Sequence, residues 1–476
     1  MKLLIIILLI VILLVLHSRY KKLEKIILAA LNKNKFKLPN EIILNTQNLN
    51  ATQIADANTW FANKGYSLRR IFTLPGVVQL NLFSRPGNTG GLLLDLLTKG
   101  EDAESAPDEA VIDLDGVQYG DIENDFLVLF PEQTISLPSG AGLFKKCQPQ
   151  VVSRPTNDPQ MNSNDYEDSS DSKMQRSKRK KFDQKRTNIN PCLKIGQTNF
   201  KEDSDGPSLT FNQPATADEI QIGLIDSKAN FSAFSEFEKV AAPHDIYLGY
   251  LADPSNDFTG LQLGTNDEHG TFMASIMANQ YAGSKTMKIR NYPFHDGNTG
   301  HLMELIAGIY SAIQADVDII NLSLGYQSDA SHPLLNEAIK AAGSKDILIV
   351  CAAGNFNSNN DVNPYWPANF SGLSHVITVA AVTSTGSAWK PSATEGTNFG
   401  NLRVNLATDG DRVEGFIDGS TEKLLSGTSC ATAVLSTIAA EVKSNNPAMT
   451  AKELKLALLA EIDAGGGIFS VPNISA

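Results

Sequence analysis

The pattern of hydrophobic and polar positions divides the 476-residue chain into four parts. An apolar run from Leu3 to Leu16 is followed by short mixed elements that extend to about residue 120. A polar stretch then leads to about residue 190, and from about residue 215 apolar runs alternate with amphipathic segments. The predicted segments are therefore 1–20, 41–120, 148–190 and 215–470.

The alternation in the last segment predicts an α/β fold with a mostly parallel sheet flanked by helices. The strand-like runs are EIQIGLID, KIRNYPF, VDIINLSLG, ILIVCAAGN and HVITVAAV. The helix-like runs are HGTFMASIMANQ, HLMELIAGIYSAIQ, HPLLNEAIKAAG, SCATAVLSTIAAEVKSN and TAKELKLALLAEI. Since sites in such sheets form beyond the carboxyl ends of the strands, we expect functional side chains there.

The segment 41–120 reads as strand, helix, strand, strand, helix and strand. EIILNT, YSLRRIF, VVQLNLF and AVIDLDGVQYG resemble strands, whereas ATQIADANTWFANKG and GGLLLDLLTKG resemble helices. This order predicts a small α+β domain of the ferredoxin-like kind ahead of the larger domain.

The segment 148–190 is polar and shows no hydrophobic period, which predicts a disordered linker. Arg176–Arg179 resembles a dibasic processing site, and exposed polar segments are where proteolytic nicking concentrates. Cys147 and Cys192 bracket the linker, so they either form a disulfide that joins its two sides or remain unpaired thiols.

The N-terminal apolar run has fourteen residues, which is short for a bilayer span and typical of a signal-peptide core. No small-residue cleavage site follows it, which favours an uncleaved signal-anchor over a cleaved signal. We therefore expect a membrane-anchored or secreted protein whose larger domain is extracytoplasmic. The basic residues of HSRYKK after the run argue for the opposite orientation, so the topology stays open.

Composition excludes some function classes. The net charge of −12 provides no general basic surface, which argues against a nucleic-acid partner. The four cysteines have no CxxC or Cys/His spacing, which argues against a structural zinc site, and we predict no metal ligands.

Polar residues stand at strand ends and helix starts in the last segment. Asp226, Asn355 and the sequence Ser323, Leu324 and Gly325 follow strand-like runs, while His269 and Ser429 begin helix-like ones. Each alone is also explained as a turn or cap residue. Together they supply a nucleophile, a base, an orienting carboxylate and an oxyanion donor, in the order Asp, His and Ser.

These residues lie within motifs that resemble those of the subtilisin-like serine proteases, over residues 216–465. The motifs are HGTFMASIMA, IINLSLG, CAAGN, NPYWPANFSGLSHVITVAAV, GTSCATAV and NPAMTAKELKLALL. The resemblance implies a serine endopeptidase that acts on proteins or peptides through an acyl-enzyme. It implies no cofactor for the chemistry and leaves calcium open.

The resemblance also implies a role for each residue. Ser429 would attack, His269 would move the proton, and Asp226 would orient the imidazole. Asn355 and the backbone N–H of Ser429 would bind the oxyanion. Ser323, Leu324 and Gly325 would pair with the substrate backbone as an added strand.

A subtilisin-like protease is commonly made with an inhibitory pro-domain, and the segment 41–120 resembles one. The chain would then be a zymogen whose own pro-domain is a partner of the catalytic domain. An accessory domain without inhibitory function is the alternative.

Three positions depart from the family pattern. Ser227-Lys228 replaces Ser-Gly or Thr-Gly, and Lys228 would either point to solvent or weaken the orienting charge of Asp226. Cys430-Ala431-Thr432-Ala433 lacks a customary proline, and Tyr326 could narrow the specificity pocket. We expect Ser426 to be structural and Cys430 to be a buried thiol turned away from the base.

Three further functions stay open. Glu268 beside His269 could indicate a carboxyl-serine peptidase, which uses Glu as the base. The chain could be a catalytically silent binding or scaffold protein, or a processing protease for one partner.

Overall fold

A computed structural model describes residues 37–85, 122–128, 193–194, 219–231, 245–246, 268–294, 300–384, 386–417 and 422–464. The N-terminal elements are β1 (Lys37–Asn45), α1 (Ala51–Asn63), β2 (Ser67–Leu74), β3 (Val78–Ser84) and β4 (Ile122–Val128). The next elements are β5 (Leu193–Lys194), β6 (Glu219–Asp226), β7 (Asp245–Ile246), α2 (Glu268–Gln280), β8 (Thr286–Pro293), β9 (Gly300–His301) and α3 (Leu302–Gln314).

The remaining elements lie between residues 319 and 464. They are β10 (Ile319–Leu322), β11 (Tyr326–Gln327), α4 (Pro333–Ser344), β12 (Leu348–Ala352), β13 (Tyr365–Trp366), a 3₁₀ turn (Ala368–Phe370) and β14 (Val376–Val382). They end with β15 (Leu406–Asp409), β16 (Val413–Phe416), β17 (Glu422–Leu425), α5 (Thr428–Asn445) and α6 (Ala451–Ala464).

The N-terminal unit, residues 37–85 and 122–128, forms a sheet in the order β2-β3-β1-β4 with antiparallel neighbours. β1, α1, β2 and β3 lie where the sequence predicted them. The second predicted helix and the strand predicted at 110–120 lie outside the described residues. The ferredoxin-like arrangement therefore stays a prediction.

The sheet of the N-terminal unit has two buried faces, because alternate residues of a strand point to opposite sides. Ile42 and Leu44 of β1 belong to a cluster with Phe61 of α1. Ile43 belongs instead to the apolar cluster that contains Leu302 of α3 and Leu334 of α4. The sheet is thus covered by its own helix on one side and by α3 and α4 on the other.

The large sheet has the order β5-β15-β14-β12-β10-β6-β8-β7. All of its neighbouring strands are parallel except β5, which pairs antiparallel with β15. Residues of α3 and α4 pack in one apolar cluster, while those of α2, α5 and α6 pack in another. The predicted α/β fold with a mostly parallel, helix-flanked sheet is confirmed.

The sheet has a topological switch point between β6 and β10. From β6 the chain passes through α2 to β8 on one side, whereas from β10 it passes through α4 to β12 on the other. Ligand sites of open α/β sheets form in the crevice at such a point, beyond the carboxyl ends of the strands. Asp226 ends β6 and Ser323 follows β10, so both lie at this crevice.

Several predicted features lie outside the described residues: the apolar run Leu3–Leu16, the linker 148–190 with Arg176–Arg179, and the pair Cys147 and Cys192. Within the described ranges, no helix has the length and apolar character needed to span a membrane.

The closing helix α6 is anchored by a buried lysine. The Lys455 ammonium donates to the carbonyl oxygens of Ser371 (2.8 Å), Leu373 (3.0 Å) and Val376, at and just before the start of β14. Burial lowers the pKa of Lys455. In the ammonium form, each of its three N–H groups has one of these carbonyl oxygens as acceptor.

We expect Lys455→Met to destabilise the protein by about 2–4 kcal/mol, because three buried carbonyl groups lose their charged donor. Urea unfolding followed by circular dichroism measures the change. Lys452→Met, at an exposed position of the same helix, is the matched control. Equal midpoints for both variants would show that the buried ammonium contributes no stability.

Candidate active site

Asp226, at the end of β6, contacts His269 in the first turn of α2. Asp226 is the last residue of β6, and His269 is the second residue of α2. His269 Nδ1 lies 2.7 Å from Asp226 Oδ1, and both side chains are buried. A carboxylate on Nδ1 holds the proton there and leaves Nε2 as the basic nitrogen. The pair can therefore act as an oriented general base.

The turn after β6 sets this geometry through the main chain. The Ser227 N–H donates to Asp226 Oδ1 (2.7 Å), and Ser227 Oγ accepts from the Gly270 N–H (2.9 Å). A Cβ atom on Gly270 would lie 2.3 Å from the carbonyl oxygen of Ser227. Only glycine therefore permits α2 to approach the turn closely enough for His269 to reach Asp226.

Ser429 stands at the second position of α5, where the chain enters the helix through Gly427. Gly427 has φ +150°, in the region that favours glycine. The Ser429 hydroxyl donates to the carbonyl oxygen of Ser323, and the Ser323 hydroxyl donates to the carbonyl oxygen of Ser429, both at 3.0 Å. These reciprocal bonds hold the start of α5 against the carboxyl end of β10.

Asn355 is held by the residue that precedes Ser429. The Thr428 N–H and hydroxyl both donate to Asn355 Oδ1 at 2.9 Å, and Thr428 Oγ1 accepts from the Gly354 N–H (3.1 Å). These bonds fix the orientation of the amide. Its Nδ2 group is buried and has no hydrogen-bond partner among the described residues. A buried, oriented donor without a partner is what an oxyanion site requires.

The predicted substrate-binding residues line the same end of the sheet. Ser323 and Leu324 are buried, and a Cβ atom on Gly325 would lie 2.4 Å from Tyr365 Cε1. The structure thus brings all seven predicted residues of the site to one edge of the sheet, at or near the switch point: Asp226, His269, Ser323, Leu324, Gly325, Asn355 and Ser429.

Tyr326 does not narrow a pocket entrance, contrary to the sequence-based expectation. Its side chain is completely buried, with its hydroxyl 3.2 Å from His332 Nδ1. The short pairing of β11 with β13 turns this ring into the apolar cluster beside α4.

The neighbouring reactive groups have other environments. Cys430 is fully buried, as expected. Ser426 donates to Asp411 Oδ1 and accepts from the Arg412 N–H, both at 2.8 Å, which fits the expected structural role. Glu268 is exposed and lies 3.3 Å from Lys423, so nothing in its contacts favours it over His269 as the base.

Two features of the site escaped the sequence analysis. Thr428 was read only as part of the serine motif, although it is the residue that holds Asn355. Asn291 is buried in β8 and bonds to both sides of Asp226 along the chain. The amide side chain within the predicted strand KIRNYPF was the available signal. Lys228 is half-buried. No cluster of His, Cys, Asp and Glu suited to a metal occurs in the described ranges.

The family comparison matches the part of the chain that carries this site. Residues 217–471, more than half of the chain, match a model described as the subtilase family.

Several characterised proteins are similar over parts of their length. An intracellular serine protease of Paenibacillus polymyxa is 36% identical over 27% of this chain and 36% of its own. A thermostable alkaline protease of Halalkalibacterium halodurans is 34% identical over 40% of this chain and 51% of its own. The major intracellular serine protease of Bacillus subtilis is 29% identical over 41% and 59% respectively. The matches thus span less than two thirds of each of these relatives.

Among solved structures, a cold adapted subtilisin-like serine proteinase matches with a TM-score of 0.42 and 23% identity. The match covers 56% of this chain and 88% of the proteinase.

We expect Gly270→Ala to lower the rate at which a fluorophosphonate labels the site by roughly 100-fold, because a displaced α2 misplaces His269. Labelling is followed in the gel at a fixed probe concentration. Gly372→Ala is the control, since a Cβ atom there meets nothing within 4 Å. If Gly270→Ala were labelled at the wild-type rate, the close approach of α2 to the turn would not be required.

Proposed function

Because this chain belongs to the subtilase family, we propose that it is a serine endopeptidase that hydrolyses peptide bonds through Asp226, His269 and Ser429. The substrates would be proteins or peptides. The proposal is supported by the short contact of Asp226 with His269 and by the position of Ser429 at the same edge of the sheet.

In the first half of the proposed reaction, Ser429 Oγ attacks the carbonyl carbon of the scissile peptide bond. Its proton, which in the structure is donated to the Ser323 carbonyl oxygen, passes to His269 Nε2. Asp226 stabilises the imidazolium that results. The tetrahedral intermediate collapses when His269 gives the proton to the leaving amine, and an ester of Ser429 remains.

In the second half, His269 takes a proton from water, and the water oxygen attacks the ester. The new tetrahedral intermediate expels Ser429 Oγ, which regains its proton from His269. The peptide acid leaves and the resting site is restored. Each proton movement is served by one nitrogen, His269 Nε2, while Nδ1 stays bound to Asp226.

The observation that carries the proposal is the Asn355 amide. Its oxygen is fixed by Thr428, and its buried nitrogen has no partner among the described residues. In both intermediates a negatively charged oxygen would develop beside Ser429 and accept a hydrogen bond from this N–H group. A binding or scaffold protein has no need for an unsatisfied donor, which costs about 1–3 kcal/mol.

We further propose that the N-terminal unit is an inhibitory pro-domain. It lies against α3 and α4 through a shared apolar cluster and three side-chain contacts that involve a glutamate. Arg70 pairs with the buried Glu304 of α3, and Glu41 lies 3.5 Å from His301. In addition, β4 pairs with β9, the short strand directly before α3, so the two units also share backbone pairing.

Glu123 of β4 makes the third of these contacts and joins the unit to α4. Its carboxylate accepts from the N–H groups of Leu334 (2.9 Å) and Leu335 (3.3 Å) and lies 2.6 Å from His332 Nδ1. The N-terminus of a helix favours a negative charge in this position. Burial nevertheless raises the pKa of Glu123. A buried carboxylate with these three partners supports a specific docking of the unit.

The place of action would be outside the cytoplasm, with the apolar run Leu3–Leu16 acting as a signal-anchor or a cleaved signal. The polar linker 148–190 would be the activation segment, cut at Arg176–Arg179. A topology reporter fused after residue 30 tests the location. N-terminal sequencing of the mature enzyme tests the cut, and a start elsewhere would contradict it.

We expect Ser429→Ala to abolish both fluorophosphonate labelling and peptide hydrolysis, because the attacking atom is removed. Cys430→Ala should keep most of the activity, since that side chain is buried. In-gel labelling and a fluorogenic peptide assay measure both. Absence of wild-type labelling would favour a silent binding protein. Loss of activity in Cys430→Ala alone would reassign the nucleophile.

We expect Asn355→Ala to lower kcat by about 10²–10³, the magnitude known for loss of the oxyanion asparagine in a subtilisin. KM should change little, because the charge develops only in the intermediates. Steady-state kinetics on the same peptide separate the two constants. A rise in KM with unchanged kcat would show that Asn355 binds the ground state instead.

We expect Glu123→Ala to speed fluorophosphonate labelling of the unprocessed chain by roughly 10- to 100-fold, since docking loses a buried hydrogen-bond acceptor. The full-length band is followed in the gel at early times, before processing. Asp56→Ala, at an exposed position of α1, is the matched control. Equal labelling of wild type and Glu123→Ala would argue that the N-terminal unit is only accessory.

A further inference from the structure

Asn291 is a buried polar residue near the C-terminal end of β8, which lies between β6 and the edge strand β7. It belongs to β8, which pairs with β6 in the register that sets Asn291 beside Leu224. Its side chain is 0% exposed, and its neighbours Ile289 and Tyr292 are equally buried. An amide in such a place is costly unless its hydrogen bonds are made. Its partners therefore explain its presence.

The Asn291 amide bonds to the chain on both sides of Asp226. Nδ2 donates to the carbonyl oxygens of Leu224 and Ser227, both at 3.1 Å. Oδ1 accepts from the Ala229 N–H at 2.9 Å. Both N–H donors of the amide are thus used, and its oxygen is occupied. The side chain thus ties the end of β6 to the turn that follows it.

These bonds act on the atoms that orient the proposed base. Ser227 donates its N–H to Asp226 Oδ1, the same atom that contacts His269 Nδ1. The Ser227 carbonyl oxygen, which accepts from Asn291, is also the atom nearest to the position of a Cβ on Gly270. A shift of this carbonyl group would therefore move both the carboxylate and the first turn of α2.

We propose that Asn291 is a positioning residue for the Asp226–His269 pair, an inference that rests on the proposed function. The hydrogen bonds of the Asn291 amide go to main-chain groups of Leu224, Ser227 and Ala229, and through them it acts on the pair. Its contribution is to hold the turn after β6 in the conformation that keeps Asp226 Oδ1 against the imidazole.

The test compares Asn291→Ala and Asn291→Asp with wild type in the processed enzyme. The aspartate keeps an acceptor for Ala229 but, when ionised, cannot donate to Leu224 or Ser227. Asn405→Ala is the matched control: Asn405 is buried, accepts from the Thr378 N–H (2.8 Å), and precedes β15 at the opposite end of the sheet. Rates are expressed per site titrated with a fluorophosphonate, so that incomplete folding does not enter.

We expect both Asn291 variants to lose roughly 10- to 100-fold in kcat with little change in KM, because a misplaced carboxylate affects the chemical steps. The acidic limb of the pH profile of kcat/KM should also move to lower pH in Asn291→Ala, since a looser carboxylate stabilises the imidazolium less. Asn405→Ala should lower the melting temperature and leave kcat and the limb unchanged.

The outcomes separate this inference from the function on which it rests. If wild type does not react with the fluorophosphonate, the proposed function fails and the positioning role fails with it. If wild type reacts and Asn291→Ala has wild-type kcat and an unmoved acidic limb, the positioning role alone is overturned. Wild-type kcat in Asn291→Asp would equally overturn it, because the two donated bonds would then be unnecessary.

Discussion

The close approach of the α2 main chain to the turn after β6 is the constraint on which the site depends. Gly270 lies so near the Ser227 carbonyl group that no side chain fits between them. The two segments also share a hydrogen bond, from the Gly270 N–H to Ser227 Oγ. With this contact made, the last residue of a strand and the second residue of a helix are held in register. The Asp226–His269 distance of 2.7 Å follows from backbone packing rather than from the reach of long side chains.

The elements of the larger domain could be predicted because their burial leaves a strong pattern. EIQIGLID was predicted as a strand, and β6 has the same bounds, since a strand covered on both faces reads as a continuous apolar run. β15, β16 and β17 were missed because strands of four residues carry too little pattern to separate them from loops. β4 was missed because IENDFLV looks solvated. Glu123 of this strand is buried in contact with His332, which is 209 residues further along the chain.

The same distinction holds within the site. Asp226, His269, Asn355 and Ser429 could be named as candidates because each stands at the end of an element and belongs to a recognisable motif. Asn291 was missed because its partners are main-chain groups, which carry no signature in the sequence. Lys455 was missed for a similar reason, since a lysine within an amphipathic helix is ordinarily a surface residue. Side chains that bind backbone are visible only once the chain is folded.

The unpaired Asn355 Nδ2 group connects the stability of the folded state with the selection that acts on the sequence. The group is already buried and oriented, so in the proposed reaction no solvent shell would have to rearrange when negative charge develops next to it. The folded state bears that cost at all times, whether or not substrate is present. A substitution elsewhere that gives this N–H group a partner, while Asn355 Oδ1 keeps its bonds to Thr428, would therefore be favoured by stability alone. If related sequences keep this unpaired donor, selection for the proposed catalytic activity would have outweighed selection for a more stable fold.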